Sequence, residues 1–389
     1  YNLLRSLLAR GHELTLATVW EKDAEQAQLA QWQAQGVRVI SQRLSRLHVL
    51  VNMAVAFMSG KPLQSRYSWS ASLAAEIENL LRTEEFDAVH VEHLRGATYG
   101  LLVQRIHAEL GRDQCLVWDS VDCISLLFEQ AARGSRGLFG RWVTRLELPR
   151  TRAAERQLVQ AFKTTLVTSA NDKLGMERLA GQDLPQVVVL PNGVDTTYFY
   201  PDDTPKAPAE IVFSGKLSYH ANLTAALYLV QQVMPHVWQA RPETTVVLAG
   251  KDPPRELLRL AQADRRVIVT GTVEDLRPYL RRATVAAALV PYGAGIQNKV
   301  LEAMACGTAV VGSPQAAAAL QIVPGEEMLV VEGAGTQAKA LLQVMDDKVL
   351  KTKLSVAGRC YVTEHHDWHK IATHLEGIYM VGYGHNRAS

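Results

Sequence analysis

Hydrophobic and polar positions follow two alternating patterns along most of the chain. Short apolar runs, which predict buried strands, are separated by stretches in which apolar residues recur at every third or fourth position, which predicts helices. Strands that alternate with helices favour a parallel sheet covered on both faces, so the pattern predicts an α/β fold of doubly wound domains. The apolar runs are 13–19, 37–40, 86–91, 115–118, 164–168, 187–190, 211–215, 245–250, 267–271, 284–290, 309–312 and 328–331.

The first element of the chain is a predicted helix rather than a strand. Residues 1–10 place leucines on one side of a helix, and a strand follows at 13–19. A doubly wound domain normally opens with a strand and a glycine turn before this helix. We therefore expect the sequence to be an N-terminally truncated piece of a longer chain, with a first domain that lacks its first strand.

The alternation of strands and helices occurs in two blocks. Residues 1–200 form the first predicted domain, and 209–365 form the second. Residues 201–208 between them are rich in proline and aspartate, as linkers often are. A last helical pattern covers 366–389, where Trp368 begins the apolar positions.

The most informative stretch of the second domain is 290–314. An apolar run leads into Gly293 and Gly295, which allow a tight turn, and a helix is predicted over 297–305. Gly307 is the predicted C-cap of that helix. Because a glycine turn that opens a helix leaves free N–H groups and a positive dipole end, this stretch predicts an anion site.

Two charged residues lie on one face of this helix. Lys299 and Glu302 are three positions apart, while Val300, Leu301 and Met304 are predicted to face inward. A cation for phosphate and a carboxylate for hydroxyl groups are what a nucleotide sugar needs. In addition, four glycines follow predicted strands and would gather at one edge of the sheet: Gly215, Gly250, Gly271 and Gly293.

Composition restricts the choice of function. The chain has 389 residues, enough for two domains, with 48% hydrophobic and 21% charged residues, as in globular proteins. A net charge of +2 gives no indication of nucleic-acid binding. The four cysteines lack metal-ligand spacing, which favours reduced thiols in the cytoplasm. We find neither an apolar run of membrane-spanning length nor a secretory signal.

The motif Gly295-Ile-Gln-Asn-Lys-Val-Leu-Glu-Ala-Met-Ala resembles the donor-site signature of the retaining GT-B glycosyltransferases of family 4. It is most similar to the sugar transferases associated with exopolysaccharide export. The resemblance extends over nearly the whole chain, through Pro191-Asn-Gly-Val-Asp, Phe213-Ser-Gly-Lys, Arg277-Pro-Tyr-Leu-Arg-Arg-Ala and Trp368. It implies two Rossmann-like domains that face a cleft, with a C-terminal helix crossing back to the first domain.

The resemblance also implies a reaction. A sugar would pass, with retention, from a nucleoside diphosphate donor to a glycan or lipid-linked acceptor, in exopolysaccharide or cell-surface glycan synthesis. The leaving diphosphate gains negative charge, which a metal or fixed cations must stabilise. Because the chain has neither an Asp-X-Asp motif nor a His/Cys cluster, we expect no metal and no further cofactor.

The residues that match the family's donor site are in the second domain. Lys216, after Gly215, and Lys299 would bind the phosphates, although a loop lysine is otherwise an ordinary solvated side chain. Glu302 would accept hydrogen bonds from the ribose. The complete predicted donor set is Gly215, Lys216, Thr272, Val273, Gly295, Ile296, Asn298, Lys299 and Glu302. Thr272 and Val273 would act through backbone contacts to the base.

Two positions depart from the family pattern. Many relatives carry a second basic residue where this chain has Asn222, and we expect Lys299 to replace it. Relatives also have a glutamate that touches the donor sugar, where this chain has Ala294. Backbone N–H groups of Gly295 and Ile296 are the expected partial substitutes.

The first domain supplies three further candidates. His93, just past a strand, resembles the family's histidine near the donor sugar and acceptor; otherwise it is a surface or capping histidine. With Lys216 and Lys299 it completes the candidate catalytic set. Asp119 and Asp122 either bind acceptor hydroxyls or cap the helix that follows.

Two segments combine basic residues with apolar faces, at 43–61 and 135–152. Either these faces pack on the domain, or the helices lie in a membrane interface. We therefore expect a cytoplasmic protein, with possible peripheral contact at the inner face of the membrane.

Two other functions are compatible with these patterns. A nucleotide-sugar epimerase would convert the donor without an acceptor, but it would need more acid and base residues than the sequence offers. A non-catalytic assembly partner would bind nucleotide tightly and leave the donor intact.

Overall fold

The computed structural model describes residues 1–134, 138–292 and 295–384, and the side chains of 130–144 and 382–384 are not included. The chain divides into two compact units, one formed by Tyr1–Leu190 with Ala372–Ser389 and the other by Pro191–Ile371. Each unit is an α/β structure with parallel strands.

The described residues of the first unit include six strands, and most of them are helical. The strands are β1 Thr15–Trp20, β2 Arg38–Arg43, β3 Ala88–Glu92, β4 Cys115–Val121, β5 Thr164–Val167 and β6 Val187–Val189. The helices are α1 Asn2–Ala9, α2 Asp23–Ala34, α3 Arg46–Met58, α4 Gln64–Tyr67, α5 Ala71–Thr83, α6 His93–Glu109, α7 Ile124–Gly134, α8 Leu138–Ala161 and α9 Ala170–Ala180. Trp118, Leu166 and Met176 are among the buried residues of its core.

The strands of the first unit form two sheets. β1 pairs with β2, while β3, β4, β5 and β6 form a separate sheet in that order.

The second unit has one six-stranded sheet in the order β12-β11-β10-β7-β8-β9. Its strands are β7 Glu210–Ser214, β8 Thr245–Ala249, β9 Val267–Gly271, β10 Val285–Ala288, β11 Val310–Gly312 and β12 Leu329–Val330. The helices are α10 His220–Tyr228, α11 Met234–Ala240, α12 Arg255–Ala263, α13 Arg277–Arg282, α14 Asn298–Ala305, α15 Pro314–Ala317, α16 Ala334–Asp346, α17 Lys348–His365 and α18 Trp368–Gly384, which continues into the first unit's range.

This strand order fixes where a ligand can bind. β7 and β10 are neighbours, and the chain proceeds outward from them in opposite directions. In open parallel sheets, ligands bind beyond the carboxyl ends of the strands at such a switch point. The loops after β7 and β10 therefore define the candidate site.

Two predicted helices differ from the observed ones in detail. The single helix that the pattern predicts over 221–240 is continuous from His220 to Ala240, with a π-helical turn at Leu229–Val233 between α10 and α11. The helix predicted from position 274 begins only at Arg277, because the Asp275 carboxylate accepts a hydrogen bond from the Arg277 N–H at 2.9 Å. Both differences depend on local hydrogen bonding that the apolar pattern does not encode.

Residues 191–200, assigned by sequence to the first domain, pack within the second unit. The Val194 N–H donates to the His366 carbonyl at 2.7 Å. The Arg359 guanidinium donates to the carbonyls of Phe199 and Thr196 at 2.8 and 3.1 Å. None of the helices in the described part of the chain has the length and apolar character that crossing a bilayer requires.

Candidate functional site

Two glycine turns bring the ends of β7 and β8 together. Gly215 and Gly250 have φ of 141° and 157°, a region that side chains rarely adopt. A Cβ on Gly250 would lie 1.8 Å from the carbonyl oxygen of Gly215. Only glycine at position 250 permits this approach, which fixes the backbone on either side of Lys216.

Asn222 connects this turn to the loop after β10. Its buried side-chain amide donates to the Lys216 carbonyl at 3.0 Å. Its side-chain oxygen accepts a hydrogen bond from the Lys299 ammonium at 2.7 Å. In the sequence Asn222 is notable only as a departure from the family pattern, and nothing there indicates this connection.

Lys299 lies in the first turn of α14, and its ammonium is 5.3 Å from the centre of the Phe213 ring. Burial lowers the pKa of Lys299 to about 8, and the nearby carboxylate of Glu302 opposes that change. The ammonium donates to Asn222 and, at 3.5 Å, to the side-chain oxygen of Gln297. A partly desolvated cation held in this way interacts strongly with an anion.

Glu302 lies one turn further along α14. Burial raises the pKa of its carboxyl group to about 7, and Lys299 opposes the rise. Near neutral pH the group can thus accept hydrogen bonds as a carboxylate or donate one as the acid.

Lys216 is exposed, in contrast to Lys299. Its ammonium lies 3.9 Å from the Asp252 carboxylate, at a distance that makes a weak surface ion pair. Its backbone is held by Asn222 while its side chain can reorient. The structure therefore gives the two predicted phosphate ligands different environments, because Lys216 is exposed and Lys299 is half-buried and hydrogen-bonded.

The N-terminus of α14 is open. Gln297, the N-cap residue, does not cap the helix with its side chain, so N–H groups of the first turn have no side-chain acceptor there. Asn298 is held from outside the helix, because its side-chain oxygen accepts a hydrogen bond from Asn192 at 2.8 Å. Gly295 and Ile296 lead into this turn and are half-buried.

The remaining predicted donor residues follow β9 in the same unit. Gly271 has φ of 71°, and the next residue, Thr272, is exposed while Val273 is half-buried. Two residues of the predicted turn, Gly293 and Ala294, lie outside the described residues.

The first-domain candidates lie at the carboxyl ends of β3 and β4. His93 has φ of 65° and Val121 has φ of 66°, although neither is glycine. Such conformations are costly and often occur at functional sites. The buried His93 Nδ1 has no hydrogen-bond partner in the described structure, and burial lowers the pKa of the imidazole. Burial therefore favours the neutral form of this imidazole.

Asp119 and Asp122 do not cap the helix that follows them. The N–H of Ile124, the first residue of α7, donates to Glu155 at 2.6 Å, and the Cys123 N–H donates to Asp172 at 2.9 Å. Both carboxylates come from distant parts of the chain, so no local sequence signal indicates them.

The two aspartates make other contacts. Asp119 lies 3.3 Å from the His90 ring and accepts a hydrogen bond from the Val121 N–H at 2.9 Å. Asp122 accepts a hydrogen bond from the Thr168 hydroxyl at 3.3 Å. Burial raises the pKa of Asp122 to about 6, so this carboxyl group can exchange a proton close to neutral pH.

A search of residues 1–134, 138–292 and 295–384 finds no group of three or more His, Cys, Asp or Glu side chains placed to hold a metal ion. Metal independence stays a prediction.

Known structures share the fold of this chain. A glycosyltransferase from Rickettsia africae ESF-5 superposes with a TM-score of 0.67 at 11% identity, covering 100% of this chain and 94% of that one. Anabaena HepE in complex with UDP-glucose gives a TM-score of 0.60 at 13% identity, covering 91% and 89%. Together with the parallel sheets, these matches show the two-domain, Rossmann-like GT-B fold of glycosyltransferases.

Family models cover both halves of the chain. The model described as Glycosyltransferase Family 4 matches residues 1–198, and the one described as Glycosyl transferases group 1 matches residues 208–347. The chain belongs to glycosyltransferase family 4, as its sequence motifs predict.

A curated relative has a higher sequence identity than these two structures, but its alignment covers only part of each chain. The phosphatidyl-myo-inositol mannosyltransferase of Mycobacterium tuberculosis is 28% identical over 207 residues. That alignment covers 49% of this chain and 53% of the relative, so the chain spans about half the length of the curated relative it matches.

Proposed function

We propose that this glycosyltransferase moves a sugar from a nucleoside diphosphate donor to a glycan or lipid-linked acceptor, with retention and without a metal ion. The observation that carries the proposal is the 2.7 Å hydrogen bond between Lys299 and Asn222. It holds a cation next to the position where many relatives have their second basic residue. Lys299 thereby takes over that residue's role at the switch point of the sheet.

The rest of the donor fits around this cation. The diphosphate accepts hydrogen bonds from Lys299, from the mobile Lys216 and from the open N-terminus of α14. Glu302, one turn away, binds the ribose hydroxyls. The solved structure of Anabaena HepE is a complex with UDP-glucose, which supports a nucleotide-sugar donor here without identifying its base or sugar.

The acceptor side is assigned to the first unit. The neutral imidazole of His93 can accept a proton from an attacking hydroxyl, and Asp119 or Asp122 can orient that hydroxyl. The curated relative is named for mannosyl transfer to phosphatidyl-myo-inositol, which favours a lipid-linked acceptor. We place the reaction in exopolysaccharide or cell-surface glycan synthesis, at the cytoplasmic face of the membrane.

A panel of nucleotides tests the donor assignment. Thermal unfolding is measured with UDP, GDP and ADP and their sugars, with a chelator present. A diphosphate at a hundredfold excess over its Kd stabilises by about 2.7 kcal/mol, which raises Tm by roughly 5–10 °C. We expect this shift with one base only. If no diphosphate shifts Tm, or all do so only with divalent metal, the lysine-based site is wrong.

Product analysis with the selected donor then separates transfer from its rivals. Transfer requires an acceptor and yields a glycosylated product. An epimerase would convert the donor without an acceptor, and a non-catalytic partner would leave the donor intact in the presence of every acceptor tried.

The affinity for the diphosphate should also depend on pH. A pKa of about 8 leaves Lys299 mostly protonated at pH 7 and mostly neutral at pH 9. The ligand's last phosphate ionisation, near pH 6, is complete over this range. Because the anion binds the protonated form, affinity should fall as pH rises through about 8, by up to about tenfold between pH 7 and 9.

Calorimetric titrations across this pH range measure the dependence of affinity on pH. The Lys299→Met variant should lack this dependence. An unchanged pH dependence in that variant would exclude Lys299 as the titrating group.

A further inference from the structure

Helix α3, Arg46–Met58, has its apolar stripe on the solvent side. The stripe consists of Leu47, Leu50, Val51, Ala54, Val55 and Met58, which recur at helical spacing and are all exposed. Met58 is 86% exposed, Leu47 71% and Leu50 64%. Soluble helices normally turn such a stripe toward the core, so this face requires a partner outside the described fold.

The opposite face of α3 fixes the orientation of the helix. Val49, Asn52 and Ala56 are buried. The Asn52 side-chain amide donates to the Trp69 carbonyl at 2.8 Å. Because these contacts hold the helix by its small and polar residues, rotation of the stripe into the core would break them.

The stretch of sequence that contains the stripe is basic, and the nearest described carboxylate is on α8, where Glu147 accepts a hydrogen bond from the Leu63 N–H at 2.8 Å. From position 26 to position 75 the sequence has no Asp or Glu, and its five Lys and Arg residues are Arg38, Arg43, Arg46, Lys61 and Arg66. Arg46 begins α3 and Lys61 follows its end, and both are exposed without an ion-pair partner in the described part of the chain. A cation therefore stands at each end of the apolar stripe.

We propose that α3 is a docking helix for an anionic phospholipid bilayer. It lies in the plane of the interface, with the stripe among the acyl chains and with Arg46 and Lys61 at the headgroup phosphates. A run of fifty residues without a carboxylate complements an anionic surface, whereas a protein partner would have to supply the acids itself. This docking rests on the proposed function, which places the reaction at the membrane, and it specifies how the protein binds there. The binding itself requires neither donor nor acceptor.

Vesicle flotation with the full chain, in the absence of nucleotide, tests the docking. The vesicles contain phosphatidylglycerol and phosphatidylcholine in equal parts, or phosphatidylcholine alone. The protein should float with the anionic vesicles and much less with the neutral ones. Leu47→Ser/Leu50→Ser/Met58→Ser should lower the partition coefficient by at least about a hundredfold, because three apolar side chains no longer enter the bilayer. Arg46→Gln/Lys61→Gln should lower it by about fivefold for each charge removed.

The matched control is Val349→Ser/Val356→Ser, which removes two similarly exposed apolar side chains from α17. It should bind vesicles like the unaltered protein. Since all altered side chains are exposed, their variants should keep the unaltered Tm. Equal binding by the stripe variant and the unaltered protein, or no vesicle binding by the latter, would overturn the proposal. So would a dimer in light scattering that the stripe variant dissociates, because the stripe would then be covered by a second copy.

Nucleotide binding in the same samples keeps the two proposals separate. The stripe variant should bind the selected diphosphate with unchanged affinity, since α3 belongs to the first unit. If the stripe variant loses vesicle binding but keeps nucleotide binding, the result bears on the docking of α3 alone. If the unaltered protein binds vesicles but no nucleotide, the result bears on the donor site alone.

Discussion

Replacing Lys299 with alanine is expected to remove most of the affinity for a nucleoside diphosphate and to leave the affinity for the nucleoside nearly unchanged. The ammonium is the fixed cation of the site, held at 2.7 Å by Asn222 and partly desolvated. A hydrogen bond to a charged group contributes about 1.5–3 kcal/mol, so the loss should be roughly tenfold to a hundredfold. Calorimetry with the diphosphate and the nucleoside as separate ligands measures both effects.

Lys206 provides a matched control for this variant. It is a second lysine whose pKa burial lowers to about 8, and its ammonium donates to the Thr308 hydroxyl at 2.8 Å. Lys206→Ala removes another hydrogen-bonded ammonium with a lowered pKa, on a residue that is exposed and lies away from the switch point. It should leave the affinity for both ligands unchanged. Equal losses for diphosphate and nucleoside in Lys299→Ala would contradict the phosphate role of Lys299.

The sequence predicts the second unit well, because its signals are local. The helix predicted over 297–305 is observed as Asn298–Ala305, with Val300, Leu301 and Met304 buried as expected. Glycine turns mark the ends of β7, β8 and β9, and each glycine has positive φ. Apolar runs and glycines act on the backbone of nearby residues. The boundaries of helices and strands can therefore be predicted from them without knowledge of the fold.

The contacts that build the site are long-range and could not be predicted. Asn222 and Lys299 are 77 positions apart, and the sequence gives no measure of the distance between them. Glu155 caps α7 from 31 positions away, and for that reason the sequence analysis considered only the nearby Asp119 and Asp122 as caps. The exposure of α3 is a similar case, because an apolar helix stripe looks the same whether it faces the core or the solvent.

The environments of the charged groups also depend on the folded structure. Lys216 and Lys299 look alike in the sequence, as two lysines near glycine turns. In the structure Lys216 is exposed, whereas Lys299 is half-buried beside Phe213 and Asn222 and its pKa is lowered to about 8. This difference supports our proposal that Lys299 makes the fixed phosphate contact and that Lys216 makes a second contact from an exposed position.

Replacing Glu302 with glutamine is expected to weaken the binding of ribonucleosides and to leave deoxyribonucleosides nearly unaffected. A carboxylate that accepts from ribose hydroxyls makes charge-assisted hydrogen bonds, about twice as strong as neutral ones. Their loss should reduce ribonucleoside affinity by roughly tenfold. Glu256→Gln, on exposed α12 of the same unit, is the control and should change neither affinity.

The pH dependence of the preference for ribose over deoxyribose tests whether Glu302 is the group that binds the ribose. Since burial raises the pKa of Glu302 to about 7, the carboxylate form predominates only above that pH. The preference for ribose over deoxyribose should therefore increase as pH rises through about 7, and the Glu302→Gln variant should lack the increase. Nucleosides without phosphate are the right ligands, because the titration of Lys299 acts on the diphosphate in the opposite direction. If Glu302→Gln weakens ribonucleosides and deoxyribonucleosides equally, Glu302 does not bind the ribose and its carboxyl group serves the packing of α14 instead.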